Sequence, residues 1–311
     1  MTGSSDDSDV QRLPALPERP ADAHKGLFGH VLVVAGSPGM TGAGCMAAVA
    51  AQRAGAGLVT LALPESLNPI AEAKLTSVMS WPLPEPGAPV IGERAADEIL
   101  GSAPQFTAFA IGPGVGRARQ TVGAMRKLVI GLPGPAVVDA DALNALAGAT
   151  GLLREARGPR LLTPHPGEMA RLLGAAAADV QADRSRTAAR FAQGHGVLVA
   201  LKGAGTVVTD GARTFVNPTG NPGMATGGTG DVLTGLAAGL LCQGLSQFDA
   251  LRLAVFIHGL AGDLAARRKG MLSMIAEDVL DAVPGAFRLF ESAGPNAAPG
   301  AVMALLEGWE G

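Results

Sequence analysis

From residue 30 onward, short and almost wholly apolar runs alternate with alanine-rich stretches whose apolar positions recur every three or four residues. The runs at 30–35, 58–63, 108–111, 136–139, 160–163 and 197–201 are bounded by Gly, Pro or Asp. Continuous rather than alternating apolar character predicts strands buried on both faces. Helices are predicted between them at 42–54, 121–129, 142–147, 167–173 and 184–193. That order belongs to an α/β domain with a mostly parallel central sheet and helices on both faces, three layers in all.

After Lys202 the pattern changes. Residues 206–209 and 214–216 read as a hairpin turned at Asp210 and Gly211, a favoured turn pair. Helices follow at 231–241, 248–267 and 277–283, with Pro284 as the expected stop. Residues 285–311 are weakly patterned and broken by Gly294, Pro295, Pro299 and Gly300, which predicts a peripheral tail. Residues 1–24 are rich in Asp, Ser and Pro and predict a disordered leader, neither a signal nor a transit peptide. One domain spanning 25–284 remains.

In an open parallel sheet, ligands gather outside the carboxyl ends of the strands. The loops at 36–44, 112–116, 139–144, 163–168 and 202–206 all fall there and are expected to converge on one cleft. A further stretch, NPTGNPGMATGGTGDVLTG at 217–235, sets the carboxylate of Asp231 behind Gly227, Gly228 and Gly230 and ahead of an apolar helix. Glycine amides at a helix N-terminus can approach an anion closely. A P-loop would follow them with Lys and Ser or Thr, whereas here an acid follows. A carboxylate beside an anion hole suits a general base that takes a proton from a hydroxyl while Gly228 and Gly230 stabilise a phosphoryl group in transfer. The plainer role for Asp231 is a helix cap.

Composition narrows the field. The 311 residues are 48% hydrophobic, carry a net charge of −3 and include 4% aromatics with no tyrosine. Basic tracks and stacking platforms are missing, so nucleic acid is not an expected partner. No apolar stretch reaches the length of a membrane span, and a cytoplasmic location is expected. Cys45 and Cys242 lack metal or disulfide spacing and read as small core residues.

Taken in order, GHVLVVAGSPGMTGAG, IGPGVG, VVDADALNAL, LLTPHPGEMARLLG, LKGAGTVVTDG, NPGMATGGTGDVLTG and FIHGLAGDLAA resemble the ADP-dependent NAD(P)H-hydrate dehydratases, which have a ribokinase-like fold. The resemblance implies a nicotinamide nucleotide repair enzyme, a hydro-lyase that restores NADH or NADPH from the S form of the hydrated cofactor. The C6 hydroxyl would be phosphorylated by ADP, and loss of phosphate would leave AMP. It also implies Mg²⁺ on the diphosphate, a homotetramer, and an NAD(P)H-hydrate epimerase acting as a partner on a separate chain.

Residue by residue, the resemblance places substrate contacts at Ala43, Gly114, His165 and Asp231. Nucleotide contacts fall at Lys202, Gly203, Ala204, Gly205, Thr206 and Gly230, and a water-mediated contact to Mg²⁺ falls at Glu168. Each has a structural alternative. Ala43 and Gly114 suit tight turns, His165 a structural hydrogen bond, Lys202 a solvated strand end, and Glu168 a helix N-terminal charge. Asp139 and Asp141 would either orient metal-bound water or cap the helix near Ala142. His258, inside an apolar helix, reads as a satisfied core histidine. The alternative function is a small-molecule kinase of the same fold, of the hydroxyethylthiazole or hydroxymethylpyrimidine type.

Overall fold

The computed structural model describes residue 10 and residues 12–309. Nine strands form one sheet: β1 (His30–Val34), β2 (Leu58–Pro64), β3 (Met79–Leu83), β4 (Ala108–Ile111), β5 (Ala136–Val138), β6 (Arg160–Leu162), β7 (Leu198–Leu201), β8 (Val207–Thr209) and β9 (Thr214–Val216). Their order is β3-β2-β1-β4-β5-β6-β7-β8-β9. Pairing is parallel from β3 through β7 and antiparallel from β7 to β9. The direction of progression reverses between β1 and β4, so the loops after those two strands open a crevice.

The helices are α1 (Thr41–Arg53), α2 (Asn68–Lys74), α3 (Glu93–Ser102), α4 (Arg119–Gly131), α5 (Ala140–Leu146), α6 (Pro166–Leu173), α7 (Ala177–Ala182), α8 (Arg184–His195), α9 (Thr229–Leu241), α10 (Gln247–Lys269), α11 (Ala276–Ser292) and α12 (Pro299–Glu307). They cover both faces. Val31 and Val33 point into a core shared with α1, α9, α10 and α11, while Leu32 and Val34 point into one shared with α3, α4, α5 and α8. Burial on both sides explains why these strands carry continuous apolar runs. The expected three-layer architecture is what the chain forms.

Several elements differ from expectation. Strand β3 carries Pro82 and reads poorly as a strand, but it lies at the sheet edge, where a missing N–H is tolerated. Pro284 does not stop its helix: α11 runs on to Ser292 because Val279, Val283, Ala286, Leu289 and Phe290 form a buried face. The tail contains α12, whose Val302 and Leu306 are buried, and Arg267 donates to the Leu306 carbonyl.

The leader expectation covers residues 1–24, of which 1–9 and 11 lie outside the described residues. Around residues 13–16 the segment is docked on the core rather than disordered, while 17–22 run exposed along the surface. Leu13 is fully buried, its N–H donates to the Ala297 carbonyl at 2.9 Å, and the Arg252 guanidinium donates to the carbonyls of Val10 and Arg12. Val10 and Leu13 are buried and Leu16 packs against the same core, three apolar residues in an otherwise polar, proline-rich run.

Candidate active site

Helix α9 begins two residues before Asp231, which therefore sits in its first turn. Gly228 is the N-cap, with φ of 96°, a left-handed conformation that favours glycine. A Cβ there would meet Met46 Cε at 2.7 Å and Ala276 Cβ at 2.9 Å. No side chain caps this helix, so Asp231 is not occupied as a cap. Its half-buried carboxyl is pushed up to about 7 by burial first and by the Asp139 charge next, with Glu168 adding and the Lys202 ammonium opposing. A carboxyl held there can take a proton near neutral pH.

Lys202 follows β7, and its N–H donates to the Pro164 carbonyl at 2.8 Å, which ties the KGAGT loop to TPHPGE. Its Nζ lies 2.8 Å from Asp139 Oδ1 and 3.9 Å from Glu168 Oε2. Burial alone would lower the ammonium, but Asp139, Glu168 and Asp231 outweigh it and raise it, so Lys202 stays charged. The solvated-end alternative fails, since Lys202 faces three carboxylates.

Glu168 and His165 close a reciprocal capping box at the head of α6. The His165 N–H donates to Glu168 Oε2 at 2.8 Å, and His165 Nδ1 accepts from the Gly167 N–H at 3.0 Å. Burial, then the Lys202 and Arg171 charges, lower the His165 pKa, which keeps the ring neutral and Nδ1 free to accept. His165 itself remains exposed at the cleft. Burial raises Glu168 despite its cationic neighbours.

Across the crevice, Gly114 has φ of 61°, and a Cβ on it would lie 2.7 Å from the Met40 carbonyl and 3.1 Å from Ala43 Cβ. The two predicted substrate contacts therefore adjoin each other where the loops after β1 and β4 meet. Ser37 Oγ pins that meeting point by donating to the Gly114 carbonyl at 2.8 Å. Asp141 is used elsewhere: it accepts from the Gly116 N–H, Arg117 and Asn144 at 3.0 to 3.1 Å, which makes it a loop brace.

Beside Lys202 lies a cavity of about 410 Å³, lined by Gly203, Ala204, Thr206, Gly230, Met224 and His258 among others. That is the scale of a small-molecule site. Two larger clefts flank the N-terminal segment near Arg19 and Arg252, away from these residues. Gly205 is not in the cavity wall. Its carbonyl and that of Ala204 accept from Arg184, while Thr206 Oγ1 donates to the Gly203 carbonyl at 3.0 Å. Arg184 is thus a loop brace that sequence reading missed.

The FIHGLAGD segment of α10, one of the motifs that carry the resemblance, makes contacts whose partners its sequence alone does not reveal. His258 Nε2 lies 2.9 Å from the Thr229 carbonyl, and Asp263 accepts from the Gly220 N–H and Asn221 Nδ2, both at 2.9 Å. Gly259 and Gly262 let Thr219 and Met224 approach the helix. Helix α10 thus holds the 217–230 loop at Thr219 to Asn221, Met224 and Thr229. Polar and small residues at helical spacing in an apolar helix were the available signal. His258 is hydrogen-bonded as expected and its pKa is lowered to about 4 by burial, but it is not sealed in the core: it is partly exposed and lines the cavity beside Lys202.

For Mg²⁺, no group of three or more His, Cys, Asp or Glu among the described residues is arranged as a metal cage. Lys202 already neutralises Asp139, and Glu168 Oε2 is engaged by a backbone N–H. This donor set suits an ion held chiefly by phosphates and water, with Glu168 reached through water, the usual mode for Mg²⁺ beside a nucleotide.

Residues 31–285 match the family model described as NAD(P)H-hydrate dehydratase. The bifunctional NAD(P)H-hydrate repair enzyme Nnr of Moorella thermoacetica is 50% identical over 278 residues, 89% of this chain and 52% of that protein. The chain spans about half the length of the curated relatives it matches. Those relatives are bifunctional by name, so they do not support the expected epimerase on a separate chain. The ADP/ATP-dependent NAD(P)H-hydrate dehydratase of Bacillus subtilis, co-crystallised with ATP and Mg²⁺, is 31% identical with a TM-score of 0.78, covering 91% of this chain and 96% of that one. A ribokinase-like superfamily protein of Enterococcus faecalis is 25% identical with a TM-score of 0.72, covering 91% and 93%. The ribokinase-like fold follows.

Proposed function

The chain belongs to the NAD(P)H-hydrate dehydratase family, and from that premise we propose that it repairs hydrated NADH and NADPH by an ADP-dependent dehydration in which Asp231 is the general base. The observation that carries this reading is the place of the Asp231 carboxyl, in the first turn of α9 beside glycine amides that no side chain caps and facing Lys202, and burial that pushes it up to about 7 supports it.

In the first step Asp231 takes the proton of the C6 hydroxyl as that oxygen bonds to the β-phosphorus of ADP and the bond to the AMP oxygen breaks. The amides of Gly228 and Gly230 face the charge that gathers on the migrating phosphoryl group. Lys202 adds a fixed positive charge. Bound Mg²⁺ would supply charge neutralisation on the diphosphate. In the second step the ring nitrogen lone pair expels phosphate from C6, and loss of the C5 proton restores the ring double bond. Hydroxide is a poor leaving group and phosphate a good one, so a kinase-like site serves a lyase.

His165 and the Ala43–Gly114 junction would hold the hydrated nicotinamide half. The cavity beside Gly203, Ala204, Thr206 and Gly230 would take the nucleotide. Among the described residues no helix is long and apolar enough to cross a membrane.

Full-length protein incubated with hydrated NADH and either ADP or ATP is expected to restore the near-ultraviolet absorbance of the reduced nicotinamide. Because Asp231 must be ionised to accept a proton, kcat/KM should climb as pH rises through about 7. Absence of restoration with both donors would overturn the dehydratase reading. A rate that is flat across that interval would remove Asp231 from the role of base.

A further inference from the structure

Asp139 is a buried carboxylate that the reaction above leaves unused. It follows β5 with 1% of its surface exposed, and both its oxygens are engaged. Oδ1 accepts from Lys202 Nζ at 2.8 Å, and Oδ2 accepts from Thr234 Oγ1 at 2.7 Å. Thr234 is fully buried on α9, three residues beyond Asp231, so it lies about one turn along the helix that presents the base. A Cβ on Gly230 would stand 3.4 Å from Lys202 Nζ and 3.7 Å from Asp139 Oδ2, which puts the pair directly beneath that first turn. One carboxylate therefore joins the ends of β5 and β7 to the head of α9. A buried ion pair is seldom a net source of stability, because desolvation offsets the attraction.

We propose that Asp139 is a positioning residue for the dehydration: by holding the Lys202 ammonium and the Thr234 hydroxyl together, it fixes how far that ammonium stands from the carboxylate that takes the proton. The inference rests on Asp231 being the base. The charged groups that face Asp231 are Asp139 after β5, Lys202 after β7 and Glu168 on α6. Asp139 and Glu168 repel a negative charge on Asp231, and Lys202 attracts it. Neutralising Asp139 removes one repulsion and releases Lys202 toward Asp231. Both changes make Asp231 easier to ionise and a weaker base.

The test is the pH profile of kcat/KM in the full chain for Asp139→Asn, Thr234→Val and Thr234→Ser. Asp139→Asn should move the acid limb down by about one pH unit or more, with a lower plateau. Thr234→Val leaves every charge in place but removes the donor that screens one Asp139 oxygen and lets that oxygen draw Lys202 closer, so it should move the limb the opposite way, up by about half a unit. Thr234→Ser should restore the wild-type limb. A folded Asp139→Asn protein whose limb stays in place overturns the inference, because a purely structural residue would change the rate and not the profile. If that variant does not fold, the Thr234→Val limb decides, and an unmoved limb overturns it equally. Wild-type protein that restores no cofactor sinks the dehydratase reading itself, an outcome distinct from active wild type with unmoved limbs.

Discussion

Asp231→Asn is expected to lower the dehydration rate by about hundredfold or more while raising the melting temperature above neutral pH. The amide keeps the shape of the side chain but cannot take a proton, so the loss should fall on kcat, with nucleotide binding retained. The stability gain has a separate origin. The folded carboxyl titrates at about 7, above its ordinary value of 3.8, so the native state holds this proton more tightly than the unfolded chain does. That contribution is complete below the ordinary value, declines between the two, and is lost as pH rises through about 7. Above that pH the fold carries an ionised carboxylate that burial and Asp139 both disfavour. Melting curves of wild type and variant should therefore converge in acid and separate in base. Equal activity of the two proteins would refute the base assignment, and equal melting at all pH values would refute the electrostatic account.

Gly235→Ala is expected to cost about 3 kcal/mol or more and to reduce activity in whatever protein still folds. Helices α1 and α9 pack through glycine and alanine, and a Cβ on Gly235 would stand 2.0 Å from the Ala47 carbonyl. A Cβ on Gly239 would meet the Ala51 carbonyl at 2.4 Å. Backbone cannot yield as a side-chain tip can, so the helices must separate. Because α9 carries Thr229, Asp231 and Thr234, the displacement reaches the base. Gly194→Ala is the matched control: it adds the same methyl inside α8, where nothing lies within 4 Å, and should be neutral or slightly stabilising. Equal chemical-denaturation midpoints for the two variants would contradict the packing argument.

The strands that lead to the site were legible because each is a short, buried and mostly apolar run bounded on one side or the other by Gly, Pro or Asp, and β1 and β4 are the clearest. Asp231 was legible because three glycines precede it. Legibility failed where tertiary context overrides local preference. Pro82 lies in a strand because that strand is an edge, and Pro284 lies in a helix because the helix buries apolar residues on both sides of it. Leu13 is anchored by partners nearly three hundred residues away, Ala297 and the core around it.

The braces were hidden for a related reason. Arg184, Asp263 and His258 act on segments distant in sequence, and nothing in their neighbours reveals which carbonyl or amide they reach. Lys202 illustrates the intermediate case. Its place at a strand end was readable, but its pairing with a buried aspartate 63 positions earlier was not.

The proline in β3 has a consequence for how molecules of this protein behave when crowded. An outermost strand presents unpaired donors and acceptors that invite another chain to add on, the route by which sheets coalesce into fibrils. Pro82 deletes one of those donors, and its neighbour Trp81 fills space with a ring instead of a flat apolar ribbon. Replacing Pro82 with valine would complete the rung, and heated or concentrated solutions of such a protein should turn turbid sooner than the parent.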